Sequence, residues 1–257
     1  MKRISNVLLV TVAIVAGFIA GQTGLYAQGR GGRGGGAAPA QTAKAAAPFD
    51  LTGYWVAVVT EDWRYRMVTP SPGDYQGVPM TPEARKVADA WDPAKEEASG
   101  DPCKSYGAPA LLRVPGRLHI TWQDDQTVRM DSDAGKQTRV FHFGDWKPVN
   151  GPATLQGDSK AEWERGGGRG ATDGSLKVTT SNLKAGLLRK NGVPYSERTS
   201  LTEYFDLIKE PNGDPLMVVT IATTDPVYLR QPFVISSQFK KQASDAKWNP
   251  TACSAKW

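Results

Sequence analysis

Four side chains stand out by type and setting. Arg139 and Glu203 are charged residues inside otherwise apolar alternating runs, Thr138-Arg-Val-Phe-His-Phe143 and Leu201-Thr-Glu-Tyr-Phe205, and His119 and His142 are the two histidines of the chain. In a strand, alternate side chains share a face, so Glu203 lies with Leu201 and Phe205, Arg139 with Phe141 and Phe143, and His142 with Val140 and Thr138. A carboxylate among aliphatic and aromatic neighbours is either on the solvent side or buried and paired. If the Leu201 face points inward, Glu203 needs a cation, and Arg139 is a candidate. One outcome is a cross-strand ion pair with a purely structural role. The other is a polar end to a mostly apolar cavity, where a ligand meets Glu203, His142 and Arg139. In such a cavity His142 or Glu203 can serve as general acid/base, with Arg139 or Tyr204 stabilising developing negative charge. His119, Trp122 and Tyr228 complete the set expected to touch a ligand.

Other chemistries find little footing. No His-x-x-x-His, Cys-x-x-Cys or Glu-x-x-His spacing exists, so no metal is expected, although two histidines on nearby strands leave a shared site geometrically open. No Gly-x-Ser-x-Gly elbow appears. Neither strand-helix-strand alternation nor a glycine fingerprint supports a nucleotide cofactor, and no cofactor is expected. The chain holds 31 basic and 26 acidic residues; without Lys2 and Arg3 the balance is 29 against 26, interspersed rather than blocked. That argues against a nucleic-acid surface.

The two cysteines, Cys103 and Cys253, read as a disulfide in an oxidising compartment, the alternative being two buried thiols. The bridge closes a loop of about 150 residues, worth roughly 5 kcal/mol in the chain-entropy account. The first residues fit that compartment. Lys2 and Arg3 precede an apolar stretch over 7–20, and Ala27 offers a cleavage point. Residues 1–27 thus read as a secretory signal, or as an anchor if left uncleaved. Once the signal is cleaved no membrane insertion is expected, and the protein belongs in the periplasm or outside the cell. Residues 28–48, rich in Gly and Arg and then in Ala and Pro, read as a flexible tether.

The remaining residues, 49–257, suit one domain. Residues 50–60 form a β-rich run apolar on both faces, and 63–68 continues it or begins its partner. Thr81, Pro82 and Glu83 open a helix that Asp92-Pro93 breaks, and a second short helix follows over 93–99. Strands are expected over 117–123, 127–132, 136–143, 176–181, 197–208, 215–224 and 233–241, with Trp163 marking one more. A Gly-rich loop covers 166–174. The eight Trp residues are expected mostly in the core, with a few lining a pocket. Many strands with one helical insert near the N-terminal side favour a mainly β fold, an antiparallel barrel closed on itself so that no edge is exposed.

Several stretches carry a resemblance. They are Leu51-Thr-Gly-Tyr-Trp55, Arg117-Leu-His-Ile-Thr-Trp122, Arg139-Val-Phe-His142, Asn191-Gly-Val-Pro-Tyr-Ser-Glu197, Thr202-Glu-Tyr-Phe205, Asp225-Pro-Val-Tyr-Leu229 and Trp248-Asn-Pro-Thr-Ala-Cys253. Across nearly the whole mature domain the chain resembles a group of secreted bacterial lipocalin-like proteins. The resemblance implies export and a lipocalin-like barrel more than any particular chemistry. Two functional expectations follow. The first is a barrel whose cavity holds a small, largely hydrophobic ligand. The second is a cofactor-independent lyase, isomerase or hydrolase using the same cavity. A structural envelope protein is the third possibility.

Overall fold

A computed structural model of the chain describes residues 41–148, 151–166 and 174–256. The expected signal segment, residues 28–40 of the expected tether, the interior of the 166–174 loop and Trp257 lie outside the described residues. Eleven strands are formed: β1 (Gly53–Val58), β2 (Arg117–Asp124), β3 (Thr127–Ser132), β4 (Gln137–His142), β5 (Asp158–Arg165), β6 (Gly174–Ser181), β7 (Gly186–Arg189), β8 (Val193–Tyr195), β9 (Ser200–Lys209), β10 (Pro215–Thr224) and β11 (Phe233–Gln242). Nine of them close into a barrel in the order β1-β11-β10-β9-β6-β5-β4-β3-β2, while β7 and β8 form a separate hairpin. Four short helices, α1 (Trp63–Arg66), α2 (Pro82–Asp89), α3 (Pro93–Ala98) and α4 (Ala108–Leu111), fall between β1 and β2.

A ring with an odd number of strands cannot alternate direction all the way round. One neighbouring pair must run parallel, and here it is β4 with β5, joined by only two residue pairs, Phe141↔Ser159 and His142↔Lys160. The antiparallel β9–β10 seam has ten. Parallel pairing also needs a long crossover. The connection between β4 and β5 runs from Phe143 to Gly157, of which residues 143–148 and 151–157 are described.

The barrel is packed through. Trp55, Met130, Val178, Phe205 and Val219 each have no accessible surface, and they come from β1, β3, β6, β9 and β10. A side chain without accessible surface has no water-sized space beside it. The expected hollow centre is therefore not met at these positions: interdigitating side chains fill it, as in other small barrels.

Helices α2 and α3 follow the signals read from the sequence. Thr81 Oγ1 accepts from Ala84 N, and Asp92 Oδ1 accepts from Ala94 N and Lys95 N. Residues 63–68 do not extend a strand. Asp62 takes a left-handed conformation (φ 48°), which turns the chain into the single helical turn α1 and buries Arg66. The β7–β8 hairpin, absent from the strand reading, turns at Asn191-Gly192, where Gly192 has φ 90°. The Cys103–Cys253 disulfide is formed, spanning 150 positions. It holds the C-terminal segment against the helical insert, where Glu97 Oε1 also accepts from Ser254 Oγ (2.8 Å) and Ala255 N (2.5 Å). The described residues begin inside the expected tether. Ala43 is buried, Lys44 N donates to Asp125 O (3.1 Å), and Ala43 O accepts from Trp163 Nε1 (2.8 Å).

Asp225 ties the β10–β11 connection to the β8–β9 connection. Its buried carboxylate accepts from Ser196 N and Oγ, Thr199 Oγ1, Val227 N and Tyr228 N, at 2.6–3.2 Å. Burial alone raises its pKa, but the bonds from Ser196, Val227 and Tyr228 outweigh that and hold it below the ordinary carboxylate value. The folded protein thus holds this proton less tightly than the unfolded chain does. Asp225 contributes stability at neutral pH that is lost as pH falls from about 4 through the folded-state value. We expect Asp225→Asn to lower the unfolding free energy by about 2 kcal/mol at neutral pH, with the gap to wild type narrowing in acid. Urea unfolding across the acid range measures this; a gap constant with pH would contradict it.

Candidate functional site

The residues singled out in the sequence divide between the two faces of the barrel wall. Arg139 on β4 and Glu203 on β9 point inward and meet. Arg139 Nη1 donates to Glu203 Oε1 (2.7 Å) and Nη2 to Oε2 (2.5 Å), a two-pronged ion pair with both side chains 0% exposed. Arg139 Nη2 also donates to Thr180 Oγ1 (3.2 Å), which is hydrogen-bonded to Ser159 Oγ (2.8 Å). The guanidinium lies over the Phe141 ring at 5.0 Å. Glu203 therefore carries the partner that its apolar neighbours demanded.

His142, His119 and Tyr204 do not join them. By strand alternation His142 lies on the face opposite Arg139 and Phe141, stacked on Trp146 with centroids 4.2 Å apart. Burial pushes its pKa down, against the opposing charges of Asp124 and Asp158. His119 is stacked on Tyr54 at 4.0 Å, with Trp248 edge-on to both rings. Tyr204 faces out beside Glu203, and Tyr228 packs at the other end of the strands, where its N–H caps Asp225. No acid/base pair forms from His142 and Glu203, because the wall separates them. Among the described residues no group of three or more His, Cys, Asp or Glu could hold a metal.

Trp122 sits differently. It is the last inward-pointing residue of β2, at the end of the barrel where β1 begins. There Phe49, Trp163, Phe143 and Trp122 form a row of rings, each 5.5–5.7 Å from the next. On its outer side lies an open hollow of about 650 Å³ lined by Lys44, Ala47, Phe49, Asp50, Thr52, Thr121 and Trp122. The hollow is part apolar, from Phe49, Ala47 and Trp122, and part polar. Burial raises the Asp50 carboxyl, but hydrogen bonds from Thr52 and the charge of Lys241 bring it below its ordinary value, so it is ionised at neutral pH. Lys44 and Asp50 thus offer opposite charges to one occupant. The tether boundary drawn from sequence hid Lys44 and Ala47, because Ala-rich composition conceals that Ala43 is anchored by Trp163.

At the opposite end, three arginines gather from distant parts of the chain: Arg66 in α1, Arg113 after α4 and Arg189 at the end of β7. Each is at most 5% exposed. Sequence reading missed them, since no spacing links positions 66, 113 and 189 and only tertiary structure assembles them.

Compared with known proteins, the chain matches no family model, no curated sequence and no solved structure.

The central pair generates a prediction. Removing one partner leaves a buried unpaired charge, whereas removing both leaves a space that apolar side chains can fill. Arg139→Met or Glu203→Leu alone is expected to cost about 3–5 kcal/mol, and the double variant to regain most of that loss. Equilibrium denaturation of the three variants decides the matter. Singles within about 1 kcal/mol of wild type would show that the pair is not what holds this part of the core.

Proposed function

We propose that the protein is an exported binding protein whose small, largely hydrophobic ligand sits at the mouth of the barrel, on Phe49 and Trp122, and not at its centre. The observation that carries the reading is the hollow of about 650 Å³ on the aromatic row. Its size falls in the range of small-molecule sites, and its mix of aromatic floor and a few polar groups is the composition such sites use. The ionised Asp50 and Lys44 would orient a polar end of the ligand, while Phe49 and Trp122 cover its apolar part.

Other observations support export and a water-filled surrounding. A disulfide links Cys103 to Cys253, as suits an oxidising compartment. No helix among the described residues is long and apolar enough to cross a membrane. The outer face of the barrel carries charged networks such as Arg129–Asp131 and Lys177 with Glu162 and Glu164, where a lipid-facing barrel needs an apolar band. The resemblance to secreted lipocalin-like proteins points the same way.

A neutral environment-sensitive dye, N-phenyl-1-naphthylamine, tests the site. Its emission should rise saturably on titration with the protein, with matching quenching of tryptophan fluorescence. Trp122→Ala should weaken binding by about tenfold or more, while Trp122→Phe keeps most of it. Absence of saturable binding, or equal affinity in Trp122→Ala, would sink the proposal.

A further inference from the structure

The arginine cluster lies at the other end of the barrel from the aromatic row and does not depend on the rim reading. Its geometry is built by the helical insert. Arg66 Nε donates to Arg113 O (3.0 Å) and Nη2 to Leu112 O (3.5 Å), which fixes Arg66 against the chain just after α4. Arg113 Nη1 pairs with Asp62 Oδ2 at 3.0 Å. Arg189 Nη1 donates to Gln76 O (2.7 Å), and its guanidinium lies over Tyr65 at 4.4 Å. Arg113 and Arg189 both lie over the Phe233 ring, at 5.9 and 5.8 Å.

These contacts satisfy only part of what the three side chains offer. Arg66 Nη1, Arg113 Nη2 and Arg189 Nε are buried and have no hydrogen-bond partner among the described residues, and the same holds for Ser105 Oγ. All four residues line one small hollow, with room for about 20 Å³ of occupant centre. A single water-sized body needs about 10–15 Å³ measured that way, so the space suits one compact occupant.

Charge says which kind. Among the described residues the one ion pair made by these three guanidiniums is that of Arg113 with Asp62, whose side chain is 40% exposed. Glu61 is engaged by Ser236 and Gln238, and Asp74 by Arg64. Lys190 also lines the hollow, with Nζ donating to Tyr106 Oη at 2.7 Å. Burial, and then the repulsion of Arg113, pull the pKa values of Arg66 and Arg189 down to about 10, against the partial compensation of Glu61 and then Asp62 at Arg66, and of Asp62, Tyr65 and Asp74 at Arg189. Buried cations that exceed their counter-charges are costly unless an anion joins them.

We infer that Arg66, Arg113, Arg189 and Ser105 form a buried binding site for one small inorganic anion of halide size. Arg66 Nη1, Arg113 Nη2 and Arg189 Nε supply three charge-assisted donors and Ser105 a hydroxyl donor. The anion neutralises the junction between α1, the segment after α4 and the β7–β8 hairpin. It therefore stabilises the whole cap on this end of the barrel.

Thermal melting of the full mature chain tests this in sodium bromide or chloride against sodium gluconate, whose anion is too large for the hollow, at constant ionic strength. A ligand that binds only the folded state raises the melting temperature with the logarithm of its concentration, here by about 5 °C when the halide is roughly tenfold above its dissociation constant. Arg189→Gln should melt at the same temperature in both salts. Should that variant fail to fold, bromide-soaked crystals of the wild type still decide, by an anomalous peak against the three guanidiniums. Equal melting in halide and gluconate, or bromide crystals without a peak there, would overturn the assignment. A rise with sulfate and none with halide would overturn its size.

Discussion

Nine strands cannot close a ring without one parallel seam, and that seam is the constraint around which the barrel is built. The β4–β5 contact has two residue pairs, so backbone bonding contributes least there. The ion pair from Arg139 on β4 to Glu203 on β9 reaches across β5 and β6 inside the barrel, and Ser159 on β5 and Thr180 on β6 are hydrogen-bonded into the same network. Four successive strands are thus linked from within, over the place where the sheet itself is weakest. A charge pair is a poor source of net stability, because desolvation offsets its attraction. Its directional, two-pronged geometry is instead a way to fix which strands lie beside which.

With the centre occupied by that pair and by apolar side chains, chemistry is displaced to the two ends, and the ends differ. One is closed by a row of aromatic rings and touched by the chain just before β1, giving a broad hollow of mixed character. The other is covered by the helical insert and the β7–β8 hairpin, where buried arginines meet in a space of atomic size. A flat apolar floor and a narrow cationic niche select occupants of unlike kinds. The solid core between them keeps the two apart.

Much of this was legible in the residues. Alternation revealed the barrel strands because one face is buried and the other wet, and Thr81, Pro82 and Asp92-Pro93 marked the helices through local capping rules that tertiary contacts rarely override. Arg139 and Glu203 were visible because charge inside an apolar alternation demands a partner. Their service as a strut was beyond sequence, since nothing local states that an odd ring has its parallel seam between them. The stretch 63–68 misled because β-rich residues there are turned by one left-handed Asp62 and by Arg66 seeking backbone carbonyls. Asn191-Gly192 was a hairpin signal in plain view, flanked by short apolar runs. The arginine niche left no trace, because its members share neither strand nor spacing.

The order of strands has a further consequence for how the chain reaches this state. β1, the first strand, is hydrogen-bonded on one side to β2 and on the other to β11, which ends at Gln242. During synthesis β1 must wait with one edge bare until β11 has emerged. Closure of the ring, and the bond between Cys103 and Cys253, are therefore late events joining sequence-distant partners, the kind that form slowly and leave unpaired edges exposed meanwhile. The lysines at positions 240 and 241 of β11 place positive charge on the strand that must dock, a common guard against pairing with the wrong chain before the right edge arrives.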